Sequence, residues 1–271
     1  MTTISLLKTA FTTGDYYKAM NLALRHFDGN HQMLHYPFDG GETSSIEKAQ
    51  ENLINYCISH LPSIKDKEIL DVGCGNGTVA LYLSHHHDAR KILGVDLNVN
   101  NIQIANEEKK NQRNSRVSFI EDDAQKLSQI ESNSFDIIIN IESAFHYPDK
   151  KSFLDEIQRV LKPGGQFIIA DILTRSKDSF FPKKWKQKMN FHHWSLEDYN
   201  KTFDKHHLQL ISSNDISREV INGFKDYPNY LNDFTGSWVV KLFFIINVKL
   251  NIFLLSTKRK YYVFHGFKAE A

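Results

Sequence analysis

Short apolar segments alternate with helical patterns between residues 68 and 171, and this alternation limits the fold more than any other feature of the sequence. The fourth segment, Phe135–Asn140, is too apolar to alternate, as strands buried on both faces are. Because parallel neighbours must be joined by a crossover, which is nearly always right-handed, the pattern predicts βαβ units and a parallel sheet. The predicted strands are Glu68–Val72, Lys91–Asp96, Val117–Ile120, Phe135–Asn140 and Gln166–Asp171, and the predicted helices are Thr78–Ser84, Val99–Asn111 and Lys150–Leu161.

Two further strands are predicted after this core, at Leu208–Ile216 and Lys260–Lys268. The expected fold is therefore α/β, with a doubly wound, mostly parallel seven-stranded sheet and a helical cap over the active site. We expect one structural domain, because no linker or repeat interrupts the chain. Its parts are an N-terminal helical cap segment at 1–60, the sheet core at 61–217 with a lid segment at 173–195, and a helical cap insertion with the final strand at 218–271.

Charge and cysteine content exclude several classes of protein. The 33 Lys and Arg residues nearly balance 32 Asp and Glu residues, so no overall field attracts nucleic acid or an anionic membrane. Two cysteines, Cys57 and Cys74, cannot form a disulfide framework, which favours the cytoplasm. The apolar stretch Val239–Leu255 is interrupted by Lys and Asn and is shorter than the roughly 20 residues of a membrane span. A cap helix without stable membrane insertion is expected there, with an interfacial membrane helix as the alternative.

The strongest motif is the Gly-rich segment Asp71-Val-Gly-Cys-Gly-Asn-Gly77, which joins the first strand to the first core helix. Backbone N–H groups are unpaired at such a turn, and glycines let the backbone approach a ligand closely. Its spacing differs from the G-x-G-x-x-G of dinucleotide-binding folds, because position 78 is Thr. The carboxylate of Asp71 would not stabilise a bound pyrophosphate, which is an anion, but it would stabilise a bound cationic amino group. The motif therefore predicts a site for a zwitterionic ligand.

Acidic residues follow the second and third predicted strands. Asp96 ends the second strand about twenty residues after the Gly-rich turn, where a carboxylate can accept hydrogen bonds from both ribose hydroxyls. Asp122-Asp123-Ala124 follows the third strand, and Asp123, which precedes a small residue, is the better candidate acceptor for an adenine amino group. An acidic turn is the alternative interpretation. Because ligands of parallel sheets bind beyond the carboxyl ends of the strands, these groups are expected to converge.

These segments, with Phe135–Asp136 and Leu161-Lys-Pro-Gly-Gly165, together resemble the class I S-adenosylmethionine-dependent methyltransferases, whose sheet is Rossmann-like. The resemblance covers about residues 60–172 and is specific for the superfamily, not for a substrate. It implies that the Gly-rich loop holds the methionine end of S-adenosylmethionine, the second-strand acid the ribose, and the Asp-Ala turn the adenine, with S-adenosylhomocysteine as the product. The expected cofactor-binding residues are Tyr17, Tyr36, Asp71, Gly73, Gly75, Asn76, Gly77, Asp96, Leu97, Asp123, Ala124 and Asn140.

The segment before the core resembles a subgroup of these enzymes. Met33-Leu-His-Tyr36, with Gly41 and Ala49, is similar to the region found in methyltransferases of sarcosine and dimethylglycine, tocopherols, antibiotic sugars and isoprenoid diphosphates. In that subgroup a tyrosine such as Tyr36, and an earlier one such as Tyr17, lies over the cofactor. The resemblance implies a small, lipophilic methyl acceptor of secondary metabolism.

The segment Asn140-Ile-Glu-Ser-Ala-Phe-His146 follows the fourth strand, where the reacting atoms should meet. In the resembling subgroup the acid and the histidine here face the substrate. A hydroxyl acceptor is a poor nucleophile until it loses its proton, and His146 is the side chain most easily tuned to take it. Glu142 can orient the histidine or bind a substrate group, and the acceptor atom is a hydroxyl oxygen or a carbon. The expected catalytic residues are His146 and Glu142, the expected substrate-binding residues are His35, Ser143, His192, His193 and Trp194, and no metal site is expected.

Aromatic residues outside the predicted sheet indicate an apolar pocket under the cap, with an oligomer interface, such as that of a homodimer, as the alternative. They are Phe180, Phe181, Trp185, Phe191, Trp194, Phe224, Tyr227, Tyr230, Phe234 and Trp238. Two other functions stay open. An RNA or protein methyltransferase would need an open basic groove, and a non-catalytic cofactor-binding protein would lack the groups at the reaction centre.

Overall fold

The sheet has seven strands in the part of the chain that the computed structural model describes, which is residues 13–24, 26, 33–39, 45–175, 190–227, 231 and 234–269. The strands are β1 Glu68–Val72, β2 Lys91–Asp96, β3 Val117–Glu121, β4 Phe135–Ile141, β5 Leu161–Thr174, β6 Leu208–Asp215 and β7 Arg259–Lys268. Their order is β3-β2-β1-β4-β5-β7-β6. The first five are parallel, and β7 lies antiparallel between β5 and β6. This confirms the predicted α/β fold with its mostly parallel seven-stranded sheet.

The helices cover both faces of this sheet. They are α1 Thr13–Leu24, α2 Ile46–Ile58, α3 Thr78–His86, α4 Val99–Asn111, α5 Lys150–Val160, α6 Leu196–Phe203, α7 Ser217–Lys225 and α8 Trp238–Thr257, with 3-10 turns at Ala144–His146 and Asp204–His206. The start of α6 follows from a capping box. Ser195 Oγ accepts a hydrogen bond from Asp198 N at 3.2 Å, and the Asp198 carboxylate accepts one from Ser195 N at 2.9 Å.

Strand β5 is longer at both ends than predicted. Its first residue, Leu161, pairs with Phe135, and the pairing resumes only between Ile137 and Gln166, so the predicted stop signal forms an irregularity inside the strand pairing. At its other end Thr174 pairs with Arg259 of β7. This extension takes β5 beyond the end of β4, toward the cap.

Helices α1, α2, α7 and α8 form the cap together with residues 33–39. Phe38 N donates to Ala49 O at 2.9 Å and Asp39 N donates to Glu219 O at 3.1 Å, which ties this segment to α2 and α7. The buried side chains of the cap helices belong to the same hydrophobic cluster as one face of the sheet. The cap is therefore packed on the sheet through a shared apolar core.

Helix α8 has 20 residues, and among the described residues it is the one helix whose length and composition would allow it to cross a membrane. The argument that the stretch Val239–Leu255 is too short for a span is therefore wrong, because the helix extends beyond both of its ends. One face, which includes Val240, Phe244 and Val248, is buried in the cap. The opposite face is exposed, with Trp238 at 75% exposure.

The aromatic residues expected to line a pocket separate into several environments. Phe224, Tyr227 and Phe234 are buried in the cap core, whereas Trp194 packs with the cluster on the other face of the sheet. Phe180, Phe181, Trp185 and Tyr230 lie outside the described residues.

Candidate active site

A cavity of about 590 Å³, here the first cavity, lies at the carboxyl edge of the sheet beside the ends of β1, β2, β3 and β4. The strand order reverses at this edge, because β1 lies between β2 and β4. Open α/β sheets bind ligands at such switch points. The predicted site residues that line the first cavity are Tyr17, His35, Asp71, Gly73, Gly75, Asn76, Asp96, Leu97, Asp123, Ala124, Glu142, Ser143 and His146.

The Gly-rich turn forms one wall of the first cavity. Gly73 and Gly75 have φ angles of +73° and +55°, which residues with side chains rarely adopt. A Cβ atom at Gly73 would lie 2.2 Å from Ser143 Oγ, so a side chain there would separate the ends of β1 and β4. Gly73 N also donates to Val95 O at 2.7 Å, which holds the turn against β2. Gly75 is left facing the cavity.

Gly77 does not line the first cavity, so its assignment to cofactor binding is corrected. It is the N-cap of α3, with φ +80°. A Cβ atom there would lie 2.6 Å from Phe119 Cζ and 2.7 Å from Ala105 Cβ. The third glycine of the motif thus allows close packing of α3 on β3 and α4.

We expect Gly75→Ala and Gly77→Ala to have different effects, although both force a side chain into a left-handed conformation at about 1–2 kcal/mol. Gly77→Ala also overpacks the core, which adds about 1–3 kcal/mol, and should lower the melting temperature without changing cofactor affinity. Gly75→Ala meets only the flexible Leu34 side chain, 3.0 Å away, and should weaken cofactor binding about tenfold or more. Calorimetry and thermal denaturation of both variants check this. Equal losses of cofactor affinity in the two variants would contradict the assignment of Gly75 to cofactor binding and of Gly77 to packing.

Asp96 ends β2 at the floor of the first cavity. Its Oδ2 accepts a hydrogen bond from Gly75 N at 2.9 Å, and its Oδ1 accepts from Asn98 N at 2.8 Å and Asn101 Nδ2 at 3.3 Å. A carboxylate offers about four acceptor positions, so one position on Oδ2 is left toward the cavity. Burial raises the pKa of Asp96, and the hydrogen bonds from Asn98 and Gly75 oppose that rise.

Asp71 is a buried acid with an unsatisfied oxygen. Its side chain is 2% exposed and lines the first cavity, and Oδ2 has no hydrogen-bond partner among the described residues. Burial, and secondly the charge of Asp96, raises the pKa of Asp71 to about 7. An unpaired buried carboxylate is costly, so this site favours a cation. The ammonium group of an amino-acid ligand meets that need.

Cofactor affinity should therefore depend on pH through Asp71. Below about pH 7 the carboxyl is protonated in the free protein, so binding a cation must displace a proton. We expect affinity to fall as the pH is lowered from 7 to 5, by at most about tenfold per pH unit. Asp71→Asn should bind more weakly at pH 8 and show a flatter profile, as measured by calorimetry. An unchanged slope in this variant would assign the titration to another group.

The two aspartates of the acidic turn after β3 have different hydrogen-bond partners. The Asp122 carboxylate accepts hydrogen bonds from Asp123 N at 2.8 Å and Gln129 N at 3.0 Å, so it stabilises the turn. Asp123 accepts from Gln125 N at 3.0 Å and lines the cavity beside Ala124. Both carboxylates line the first cavity, and Asp123 accepts fewer backbone hydrogen bonds than Asp122, which fits the preference for Asp123 as the adenine acceptor.

A second cavity, of about 310 Å³, lies under the cap between α1, α8 and the end of β5. Most of its lining is apolar, including Phe145, Phe191, Phe243, Leu250 and Leu254. Tyr17, Glu142 and His146 line both cavities, and so does Leu34. The two cavities therefore meet at the predicted catalytic residues.

Hydrogen bonds orient His146 at this junction. Its Nδ1 lies 3.3 Å from the carbonyl oxygen of Asn190, and its Nε2 lies 2.9 Å from the hydroxyl of Tyr17. A carbonyl can only accept, so in the neutral form of the ring Nδ1 carries the proton and Nε2 accepts from the tyrosine hydroxyl. Phe191 stacks on the imidazole at 5.5 Å between ring centroids. The basic nitrogen thus faces Tyr17, which lines both cavities.

Glu142 has a strained backbone and a buried carboxyl. Its φ angle is +52°, and strain of this kind is frequent at functional sites. Its Oε1 accepts from Tyr36 N at 2.6 Å, and the structure shows no bond to His146, so Tyr17 and Asn190 orient the histidine instead. Burial raises the pKa of Glu142 to about 8 against the effect of the Tyr36 hydrogen bond. At neutral pH the group is mainly protonated and can donate a hydrogen bond.

Four other predicted residues lie away from the expected cavity. Tyr36 lines the second cavity rather than the first, and its hydroxyl donates to Asn251 Oδ1 at 2.9 Å. Asn140 is fully buried, and its Nδ2 donates to Val72 O at 2.8 Å, so it joins β4 to β1. The His192 ring is bonded to Asn190, and Trp194 packs on Tyr199, so neither lines either cavity.

His193 lines the second cavity. Its Nδ1 lies 2.6 Å from Ile172 O, and burial, with a smaller effect of the Arg259 charge, lowers the pKa of His193 well below its usual value. His35 lines the first cavity with both ring nitrogens engaged, by Tyr36 O at 3.1 Å and Met33 Sδ at 3.2 Å. Ser143 Oγ donates to Val72 O at 3.2 Å.

Several residues of these cavity walls carry no signal that would predict them from the sequence. Tyr147 lines the first cavity and donates to Ser143 Oγ at 2.9 Å, and Asn190 supports His146 from a segment without a motif. Arg259 lines the second cavity from the first position of β7. A single arginine at a strand start carries no signal in a sequence.

Comparisons with known proteins agree with this geometry. A family model described as "Methyltransferase domain" matches residues 63–236. The chain is 34% identical over 164 residues to the methyltransferase GfsG of Streptomyces halstedii, which covers 60% of this chain and 58% of the relative. It is 32% identical over 178 residues to the sterol 4-C-methyltransferase strm-1 of Caenorhabditis elegans, covering 62% and 52%. The chain thus spans little more than half the length of these relatives.

The fold of this chain matches that of a solved structure over nearly the whole length of both chains. The 4+2 cyclase SpnF superimposes with a TM-score of 0.76 at 19% identity, covering 97% of this chain and 98% of SpnF. At that identity the similarity establishes the fold alone, flanks included.

Proposed function

This chain belongs to the methyltransferase domain family, and we propose that it transfers the methyl group of S-adenosylmethionine to a hydroxyl or carbon of a small, mostly apolar metabolite. The observation that carries the proposal is the meeting of two unlike cavities at Tyr17, Glu142 and His146. One is lined by glycines and acids and the other by apolar side chains.

The first cavity fits S-adenosylmethionine. The unsatisfied Oδ2 of Asp71 suits the ammonium group, and the free acceptor position of Asp96 suits a ribose hydroxyl. Asp123 and Ala124 would hold the adenine, and Gly75 leaves room for the methionine end. When bound, the cofactor supplies an electrophilic methyl group on a sulfonium.

The chain's own residues would position the acceptor and move its proton. For a hydroxyl acceptor, His146 Nε2 receives the proton, either directly or through the Tyr17 hydroxyl that bonds to it. Protonated Glu142 has a hydrogen to donate, and the Tyr261 side chain competes with the acceptor for it, because Oε1 already accepts from Tyr36 N. The apolar lining of the second cavity keeps water from the reacting atoms. Alignment of the two reactants supplies the larger part of the acceleration.

The substrate class is supported by the lining of the second cavity and by the names of the relatives. One relative is named a sterol methyltransferase and another a fatty-acid O-methyltransferase. A small metabolite of secondary metabolism, rather than nucleic acid, also fits the net charge of +1. We propose a cytoplasmic location, which the two buried free cysteines support, and a homodimer as the assembly to test by light scattering.

Incubation of the protein with methyl-labelled cofactor and fractionated cell extract tests the activity directly. Label should appear in an organic-extractable product and not in RNA or protein. This readout is needed because a neighbour with the same fold is named a cyclase, and a fold does not fix the chemistry. Label in RNA or protein would support the macromolecular alternative. Binding of cofactor without transfer to any fraction would support a non-catalytic protein.

A further inference from the structure

Arg259 is a buried cation in the wall of the second cavity. It is 6% exposed, opens β7 and pairs with Thr174 at the end of β5. Its carbonyl oxygen accepts a hydrogen bond from Arg175 Nε at 2.9 Å, so its backbone is held in place. Arg259 lines this cavity, whose remaining walls are mostly apolar.

Among the described residues, this guanidinium has no counter-ion and donates no hydrogen bond. Burial lowers the pKa of Arg259 only to about 10, so the group stays protonated at neutral pH. Arginine is almost never buried without a partner, because a desolvated charge is costly. An unpaired arginine in the wall of a cavity therefore indicates a missing anion.

The nearby titratable groups do not supply that anion. The Asp171 carboxyl acts on the charge of Arg259 only from beyond ion-pairing distance. It accepts from the Tyr199 hydroxyl at 2.7 Å and interacts with the charge of Lys150. Burial raises the pKa of Glu142 to about 8 in the same cavity, and burial keeps His193 neutral. Among the described residues that line the second cavity, no anion therefore balances the charge of Arg259 at neutral pH.

We propose that Arg259 binds an anionic group, a carboxylate or a phosphate, carried by the otherwise apolar methyl acceptor. This proposal rests on the proposed function and names its substrate class. The planar guanidinium fork matches both oxyanions in a bidentate geometry that an ammonium does not offer. Since Arg259 and His146 line the same cavity, the anion would fix one end of the acceptor while its reactive atom lies near His146.

The size of the second cavity determines which chain length is suitable for the probe ligands. A volume of about 310 Å³ is near the lower end of ligand pockets, which span about 300–1000 Å³, so medium-length chains are suitable. Octanoate, octyl phosphate and 1-octanol share one apolar chain and differ in the head group. Their binding should be measured by calorimetry at pH 7.5, with the protein saturated with S-adenosylhomocysteine and again without it.

We expect at least one of the two anions to bind the wild-type protein about tenfold more tightly than 1-octanol, as a charge-assisted hydrogen bond allows. The tighter of the two identifies the head group. Arg259→Gln should reduce this preference to about twofold or less, and Arg259→Lys should retain part of it. Arg90→Gln, in an exposed arginine far from the cavity, is the matched control and should retain the full preference.

Equal affinity of the wild-type protein for all three probes would overturn the proposal, and so would an unchanged preference in Arg259→Gln. A uniform loss for all three probes in that variant would also overturn it, because it would indicate packing alone. If Arg259→Gln does not fold, the proposal is still tested by the ratio of the wild-type affinities for the anions and for 1-octanol, and by the same ratio in Arg259→Lys. Failure to bind S-adenosylhomocysteine with an intact anion preference would contradict the proposed function and leave this site in place.

Discussion

His146→Ala should lower the turnover of a hydroxyl acceptor by about 10²- to 10⁴-fold, with cofactor affinity unchanged. The ring lies at the junction of the two cavities, and its tautomer is fixed by the Asn190 carbonyl. The accepting Nε2 is therefore held ready, with the Tyr17 hydroxyl as its partner. Steady-state kinetics with the acceptor identified from labelled extract, together with calorimetry of cofactor binding, measure both quantities.

Two variants control this result. His85→Ala removes an exposed imidazole that lines neither cavity and should leave turnover within about twofold of the wild-type value. Tyr17→Phe keeps the ring and removes the hydroxyl that bonds to His146. A loss as large as that of His146→Ala would indicate a proton relay through Tyr17. If His146→Ala turns over at the wild-type rate, the acceptor atom is a carbon that needs no base, or the base is another group.

The parallel sheet could be predicted because its signals are local. Each strand is a short apolar run, and each core helix begins near a Gly-rich turn or a capping residue, so strand ends and the acids that follow them could be placed to within a few residues. The parallel pairing of β1 with β2 then brings Asp71 and Asp96 to one edge. Local sequence patterns of this kind are sufficient to predict the residues on the cofactor side of the site.

The cap could be predicted only in outline, because its contacts are not local. Tyr36 was expected over the cofactor, yet its hydroxyl bonds to Asn251, more than two hundred positions away, and this turns the ring into the second cavity. Asn140 was expected at the cofactor but joins two strands. Gly77 has the same motif spacing as Gly75, and only the packing of Phe119 behind it separates their roles. The acceptor side of the site depends on such long-range contacts.

Asp96→Ala should weaken S-adenosylmethionine binding by about 10- to 150-fold, which corresponds to about 1.5–3 kcal/mol for hydrogen bonds to a charged acceptor. Three of the roughly four acceptor positions of the carboxylate are taken by Gly75 N, Asn98 N and Asn101 Nδ2. We therefore expect one ribose hydroxyl to bind Oδ2 directly, and the second to compete with the Asn101 amide, whose 3.3 Å bond is the longest of the three. Isothermal titration calorimetry measures the loss.

The ribose contact can be separated from the support that Asp96 gives to the Gly-rich turn. A 2′-deoxy analogue of S-adenosylhomocysteine should bind the wild-type protein more weakly than the parent compound, whereas Asp96→Ala should bind the two alike. Asp136→Ala is the matched control, because Asp136 also accepts a backbone hydrogen bond, from Glu68 N at 2.8 Å, but lies at the amino end of β4. It should lose stability and keep its affinity for both ligands. If the deoxy analogue loses the same factor in wild-type and Asp96→Ala proteins, the ribose hydroxyls bind elsewhere, and Asp96 acts only by holding Gly75 in its left-handed conformation.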